Sequence, residues 1–327
     1  LVERAFILLI AVMILIWGSA RPSWAILGFL VAWTFSNVAA GVNLPAYFAM
    51  LAKCIPPEAR GGLFGWGGAL SGIVGVAAAE YAGVVLTSLA FPGNFALLFT
   101  AAAVVLTASV VPLLWTREPP DQVAGEHRSV RQYLSDAIRS AGGDREYAWA
   151  IAAIAAMSFA LAASSFYSTY AVRDLGATTR DVARFTAITL GASVVGMPVL
   201  GRIADRRGHK LSLEITATCF TIAAILALFA GSVESMYAVI LLSGIGMSGI
   251  SVSQNLLLSE FAPRHVDVPM YIVFSWLVLA PFRTGAPIVA GLVSDMWSFQ
   301  AMFRITLVAA AISLVVLVMA VREPRHR

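Results

Sequence analysis

The sequence predicts an all-α, polytopic membrane protein of about ten transmembrane helices, four and then six. Three observations predict it. Hydrophobic residues make up 59% of the 327 and charged residues only 12%, about half of the roughly 25% charged share of ordinary globular chains. Apolar stretches long enough to cross hydrocarbon, about 20 residues each, follow one another almost end to end. Lysine and arginine gather in alternate gaps between them, as in a chain threaded back and forth through a bilayer.

The apolar runs cover 5–17, 24–52, 61–90, 95–116, 147–172, 182–200, 211–230, 236–260, 268–293 and 299–321. Several exceed a perpendicular crossing and are expected to tilt or to project beyond the membrane. Helix breakers separate them: Arg21-Pro22, Pro56-Pro57, Pro92-Gly93, Gly231 and Pro263. The first run lacks the small-residue cleavage site of a signal peptide. Cys54 and Cys219 support neither a disulfide framework nor a metal cluster.

Orientation follows from the cations. With the N-terminus inside, the inner segments hold Arg4, Lys53, Arg60, Arg117, Arg128, Arg131, Arg139, Arg145, Arg202, Arg206, Arg207, Lys210, Arg264, Arg322, Arg325 and Arg327. The outer ones hold Arg21, Arg173, Arg180 and, at a helix edge, Arg184. Both termini are therefore expected in the cytoplasm. The basic residues face anionic lipid headgroups, so the net charge of +4 requires no nucleic acid. The dominance of arginine over two lysines fits a GC-rich bacterium, and hence the bacterial inner membrane.

The polar stretch 117–146 divides the chain into an N-terminal helical half (1–116), a cytoplasmic linker and a C-terminal half (147–327). A surface helix is expected at 129–140. The halves share landmarks. Pro57 and Pro263 each follow a long helix, 206 residues apart (263 minus 57). Arg117-Glu118-Pro119 recurs as Arg322-Glu323-Pro324, 205 residues on (322 minus 117). Such offsets predict parallel repeats. The same offset puts partners of 147–172 and 182–200 before residue 1. The repeat therefore implies a six-plus-six protein whose first two helices are missing here.

The loop Gly201-Arg202-Ile203-Ala204-Asp205-Arg206-Arg207-Gly208-His209-Lys210 resembles the G-x-x-x-D-R-x-G-[R/H]-[R/K] signature of the major facilitator superfamily. It lies between the second and third helices of a half, on the cytoplasmic side, as that family has it. Ile55-Pro56-Pro57-Glu58-Ala59-Arg60-Gly61 resembles the family's loop after the fourth helix. The resemblance implies a secondary active transporter of a small solute, rocking by alternating access around a midplane site, driven by a proton or solute gradient. It also implies a monomer without cofactors. Its gate residues map here onto Gly201, Asp205, Arg206, Gly208, Lys210 and Arg60. Asp205 would accept amides at the start of the helix near Gly61, holding the cytoplasmic side shut.

By the same resemblance the cavity helices are 24–52, 147–172 and 236–260. Each carries a small or polar stripe at helical spacing: Ser36/Ala40/Asn43/Tyr47, Ser158/Ala162/Ser165/Thr169 and Gly244/Ser248/Ser251/Asn255, with Tyr167 and Gln254 beside them. Polar groups avoid lipid, so the stripes face either a wet cavity or a neighbouring helix. Carrying no charge, they suit a neutral or amphipathic solute. Two ionisable residues lie deep in spans, Glu80 and Arg283, and are candidates for ion coupling or structural pairing, Arg283 with a helix absent here or with an anionic substrate. Glu80 is expected to reach toward Arg184.

Other functions are weaker. No H-E-x-x-H, cysteine cluster or intramembrane acid pair suggests an enzyme, no phosphate-binding loop suggests a pump, and no charged ring a channel. Drug or metabolite export by proton antiport stays open, although Gly65 to Glu80 has the glycines of such exporters without their Gly-Pro pair. A non-transporting remnant or membrane sensor on the same fold also stays open.

Overall fold

The computed structural model describes residues 2–116, 135, 143–263 and 268–324, and every regular element among them is a helix. In chain order these are α1 (Val2–Trp17), α2 (Pro22–Cys54), α3 (Pro57–Ser88), α4 (Gly93–Ala108), α5 (Val111–Leu114) and α6 (Arg145–Asp174). There follow α7 (Thr179–Arg207), α8 (His209–Phe229), α9 (Val233–Glu260), α10 (Val268–Met296) and α11 (Phe299–Ala320). Nine stretches among the described residues are long and apolar enough to cross a membrane, where ten are expected. The difference is α1. Its 16 residues span about 24 Å at 1.5 Å per residue, short of a hydrocarbon core of about 30 Å. The run 95–116 is also not one helix: α4 stops at Ala108, and α5 restarts with Pro112 at its second position. Proline supplies no amide to the preceding turn and disfavours helical geometry in the residue before it. Most of 117–146, including the helix expected at 129–140, lies outside the described residues.

The starts of the helices follow from their caps. Asp144 accepts the amides of Glu146 and Tyr147 at the head of α6. Thr178 and Asp181 form a reciprocal capping box on α7, while Ser232 and Ser298 cap α9 and α11. Each hydroxyl or carboxylate satisfies an amide that the first turn leaves without a partner. Helix ends recur at the expected offset: α2 ends at Cys54 and α9 at Glu260, and α4 begins at Gly93 and α11 at Phe299, 206 residues apart in both cases. Their opposite ends drift, with Pro22 and Val233 being 211 apart.

The described helices form two compact units. The first holds α1, α2, α4, α5 and α3 from Val74 onward. There α1 packs on α2 and α4 through stacked Phe6 and Phe35, 5.5 Å between centroids, and Arg4 Nε donates to the Leu106 carbonyl at 2.6 Å. The second holds α6 to α11 together with the beginning of α3, through Ile73. Sequence reasoning assigns that beginning to the N-terminal half; the glycine contacts described below are why it packs with α7. In the second unit α9 lies against α7 and α8, and α11 against α6 and α8. Tyr167, Tyr170, Phe185, Phe299 and Phe303 form its aromatic core. Large aliphatic and aromatic side chains such as Leu70, Val104, Leu277 and Phe229 stand exposed on the outside. Such a surface suits contact with hydrocarbon.

Candidate functional site

Two arrangements in the second unit combine polar chemistry with close geometry. The first lies where α7 ends. Asp205, on its last turn, accepts the Gly61 amide on Oδ1 at 2.7 Å and the Gly62 amide on Oδ2 at 2.5 Å. Both amides belong to the opening turns of α3, where the helix dipole favours a negative charge. Glycines allow the approach. A Cβ on Gly61 would sit 2.5 Å from the Gly201 carbonyl oxygen, and one on Gly201 would sit 2.3 Å from that of Gly61. Farther along α3, Gly65 and Gly68 face Met197 as closely. Thus Gly61, Gly65, Gly68 and Gly72 of α3 serve helix packing against α7, whereas Gly67 has nothing within 4 Å of its Cβ position. The Arg202 guanidinium lies over the Trp66 ring, 5.2 Å from its centroid.

The other residues mapped from the signature have separate tasks. Arg60 is buried and donates from Nε to the Ile55 carbonyl at 2.9 Å, which fixes the turn into α3. Arg206 is exposed. Gly208, at φ +94°, turns the chain from α7 into α8, a left-handed conformation that favours glycine. Lys210 pairs through Nζ with Glu214 at 3.2 Å, and its amide donates to Glu323 Oε2 at 3.1 Å. Glu323 thus caps α8. The sequence marks it only as part of a repeated Arg-Glu-Pro triplet. His209, placed by the sequence in a cytoplasmic loop, is fully buried, with Nδ1 3.2 Å from Ser253 Oγ and Nε2 3.8 Å from Glu260.

The second arrangement is a cavity of ≈ 540 Å³ between α6, α7, α9 and α10. From α6 it takes Ser158, Ala162 and Ser165, as the stripe predicts, and also Ser164 and Ser168. From α7 it takes Thr186 and Thr189, and from α10 Arg283 and Pro287. The family resemblance takes only 24–52, 147–172 and 236–260 as cavity helices, which leaves α7 and α10 out.

Other predicted cavity residues sit elsewhere. On α9 the lining face is Ile240, Ser243, Met247 and Ile250, rotated from the predicted stripe. Gly244 and Ser248 face α7 instead, against Ala192 and Gly196; small size serves helix contact there. Ser251 is exposed, Gln254 is buried, and Asn255 accepts the Trp276 indole N–H at 3.2 Å. Tyr167 is fully buried against Phe303, 5.5 Å between centroids. At two residues from Ser165 it points to the far side of the helix. In the first unit Ser36 is buried and donates to the Glu3 carbonyl at 3.3 Å, holding α2 to α1. Asn43 and Tyr47 are exposed on α2. The Glu80 side chain lies outside the described residues. Arg184, its expected partner, binds Asp181 at 3.4 Å and the Tyr237 hydroxyl at 3.4 Å.

A family model described as the Major Facilitator Superfamily matches residues 4–282. The chain belongs to this superfamily. Its fold is similar to the crystal structure of the Major Facilitator Superfamily transporter FucP in the outward conformation. The TM-score is 0.72 at 14% identity, covering 98% of this chain and 83% of that one. It is similar also to a bacterial homologue of the iron transporter ferroportin in its outward-facing state, with a TM-score of 0.69, 15% identity, and 100% and 81% of the two chains covered. In sequence it resembles Myo-inositol transporter 2 of Cryptococcus neoformans, 29% identical over 123 residues. That match takes in 35% of this chain and spans 22% of the relative's length. As a superfamily member with this fold, the chain is a multi-pass membrane protein of a transporter family.

Proposed function

We propose that this superfamily member is a secondary active transporter that moves a small solute by alternating access, with Asp205 as its cytoplasmic gate. The double hydrogen bond from the α3 amides to Asp205 carries the reading. A charge at the start of a helix is worth about 0.3–2 kcal/mol, enough to bias a conformational equilibrium and small enough to break in every cycle. Membership of the superfamily supports the rocking of one half against the other. The solute path includes the serine-lined cavity of the second unit, with Asn43 and Tyr47 as candidates in the first. Glu80 is a carboxylate deep in an apolar run and the candidate for coupling to a proton gradient. The cation distribution supports a bacterial inner membrane with both termini in the cytoplasm.

Flux into vesicles containing the purified chain tests the proposal. Asp205→Asn should slow turnover while leaving solute affinity within a few-fold. A large loss of affinity at normal turnover would remove the gate assignment. No flux of any solute, with the protein folded, would remove the transport reading.

A further inference from the structure

We infer that the serine-lined cavity of the second unit takes a small organic anion of single charge, a carboxylate held by the Arg283 guanidinium and the Ser165 and Ser168 hydroxyls. This rests on the transport reading and gives it a substrate class.

Arg283 stands near the middle of α10, with 15 residues before it and 13 after it in Val268–Met296. A guanidinium keeps its charge in proteins, and a charge at that depth is costly unless a partner or water offsets it. Among the described residues no carboxylate pairs with it. Its contact is the Trp276 ring, 4.5 Å from the guanidinium carbon to the centroid. That ring is held in turn by the indole hydrogen bond to Asn255. The Trp276 ring takes no hydrogen bond in the plane of the guanidinium, and the fork of N–H groups can still meet another acceptor. Arg283 belongs to the lining of the cavity, and no aspartate or glutamate does.

The hydroxyls divide into two sets. Ser158, Thr186 and Thr189 donate to carbonyls of their own helices, Ile154, Val182 and Phe185. Ser243 donates to Ser164 at 2.7 Å, and Ser164 back to Ala160. Their protons are used. Ser165 and Ser168, three residues apart on one face of α6, make no hydrogen bond among the described residues. Two free donors and one guanidinium match a carboxylate, which Arg binds through two parallel hydrogen bonds. A doubly charged group would leave one charge without a counter-ion. The remaining lining, Leu161, Phe185, Ile240, Met247 and Ile250, suits an organic body. The cavity volume of ≈ 540 Å³ falls in the range of small-molecule sites, about 300–1,000 Å³.

The test is ligand binding to the purified full chain, by titration calorimetry and thermal shift. The panel is lactate and benzoate, their neutral isosteres lactamide and benzamide, benzylamine as a cation, and phenyl phosphate as a dianion. At least one carboxylate should bind, and its amide and the amine should not. Arg283→Gln should weaken that binding about ten-fold or more, as expected for loss of a charge-assisted pair, and Arg283→Lys should retain part of it. If Arg283→Gln fails to fold, the paired change Ser165→Ala with Ser168→Ala tests the same site and should weaken carboxylate binding several-fold. Amides binding as well as acids, unchanged acid binding in these variants, or no acid binding at all would each overturn the inference. Vesicle uptake separates it from the reading beneath it. A carboxylate bound through Arg283 that never crosses would end the transport reading alone. A neutral solute that crosses while acids are ignored would end the anion site alone.

Discussion

A single methyl group measures how close α3 and α7 come at Gly201. Its added Cβ would meet the Gly61 carbonyl at 2.3 Å, and backbone in two packed helices cannot move aside as a flexible side chain can. Gly201→Ala should therefore destabilise by about 1–3 kcal/mol, the cost of overpacking, read as a lower melting temperature in detergent. Gly67→Ala is the control: nothing lies within 4 Å of its Cβ position, and alanine is the better helix former by up to about 1 kcal/mol. It should melt at or above the parent temperature. Equal effects of the two would remove the close-approach argument. Asp205 was legible in advance through the family signature, whose resemblance implies a carboxylate accepting amides near Gly61. Tyr167 and Ser36 were not, because a polar side chain on a helix reads alike whether it faces water or a neighbour. Only the neighbours, Phe303 for one and α1 for the other, decide.

Between elements, the corner joining α7 to α8 shows how a backbone requirement and a cap meet. Gly208 has φ +94° and ψ 156°, a region essentially confined to glycine. Its added Cβ would also meet the Glu323 carboxylate at 2.0 Å. The carboxylate is the tip of a flexible side chain and can yield, whereas the dihedral cannot. Gly208→Ala should then cost about 1–3 kcal/mol, and Glu323→Ala, which removes the cap, about 0.5–2 kcal/mol. Placing both in one chain should not rescue the first. A double variant more stable than Gly208→Ala alone would mean that the clash dominates the strain. The same scale explains the α9 register. Periodicity found a stripe of small residues and could not say which helix it served. Gly244 and Ser248 went to α7, so the cavity face fell to Ser243 and Met247 one step round.

Across the whole chain, composition and cation placement were enough for fold class, since hydrocarbon admits few architectures, and the family came from its resemblance at the Gly201–Lys210 loop. They were not enough for the grouping of the beginning of α3, which follows glycine contacts made 140 or so residues away in sequence, Gly61 with Gly201. The second unit now gives the orientation argument a physical form. Arg322 approaches Glu146 at 3.8 Å, and Glu323 caps α8 at Lys210. This end therefore collects Arg145, Arg202, Arg206, Arg207, Lys210 and Arg322. The opposite end is marked by Tyr170 donating to the Ala230 carbonyl at 2.9 Å and Arg173 pairing with Asp295 at 3.4 Å. It holds Arg173, Arg180, Arg184 and, one turn into α11, Arg304. Translocation responds to the lysine and arginine count near span ends, and acids contribute little, so the richer end should stay in the cytoplasm. Single cysteines in a Cys54→Ser, Cys219→Ser background would report it. Gly231→Cys and Trp297→Cys stand at one end, Gly143→Cys and Arg322→Cys at the other, all at exposed positions. A membrane-impermeant maleimide applied to intact cells should label the first pair and reach the second only after lysis. Labelling of the second pair alone would invert the topology and place the Asp205 clasp outside, where it could not serve as a cytoplasmic gate.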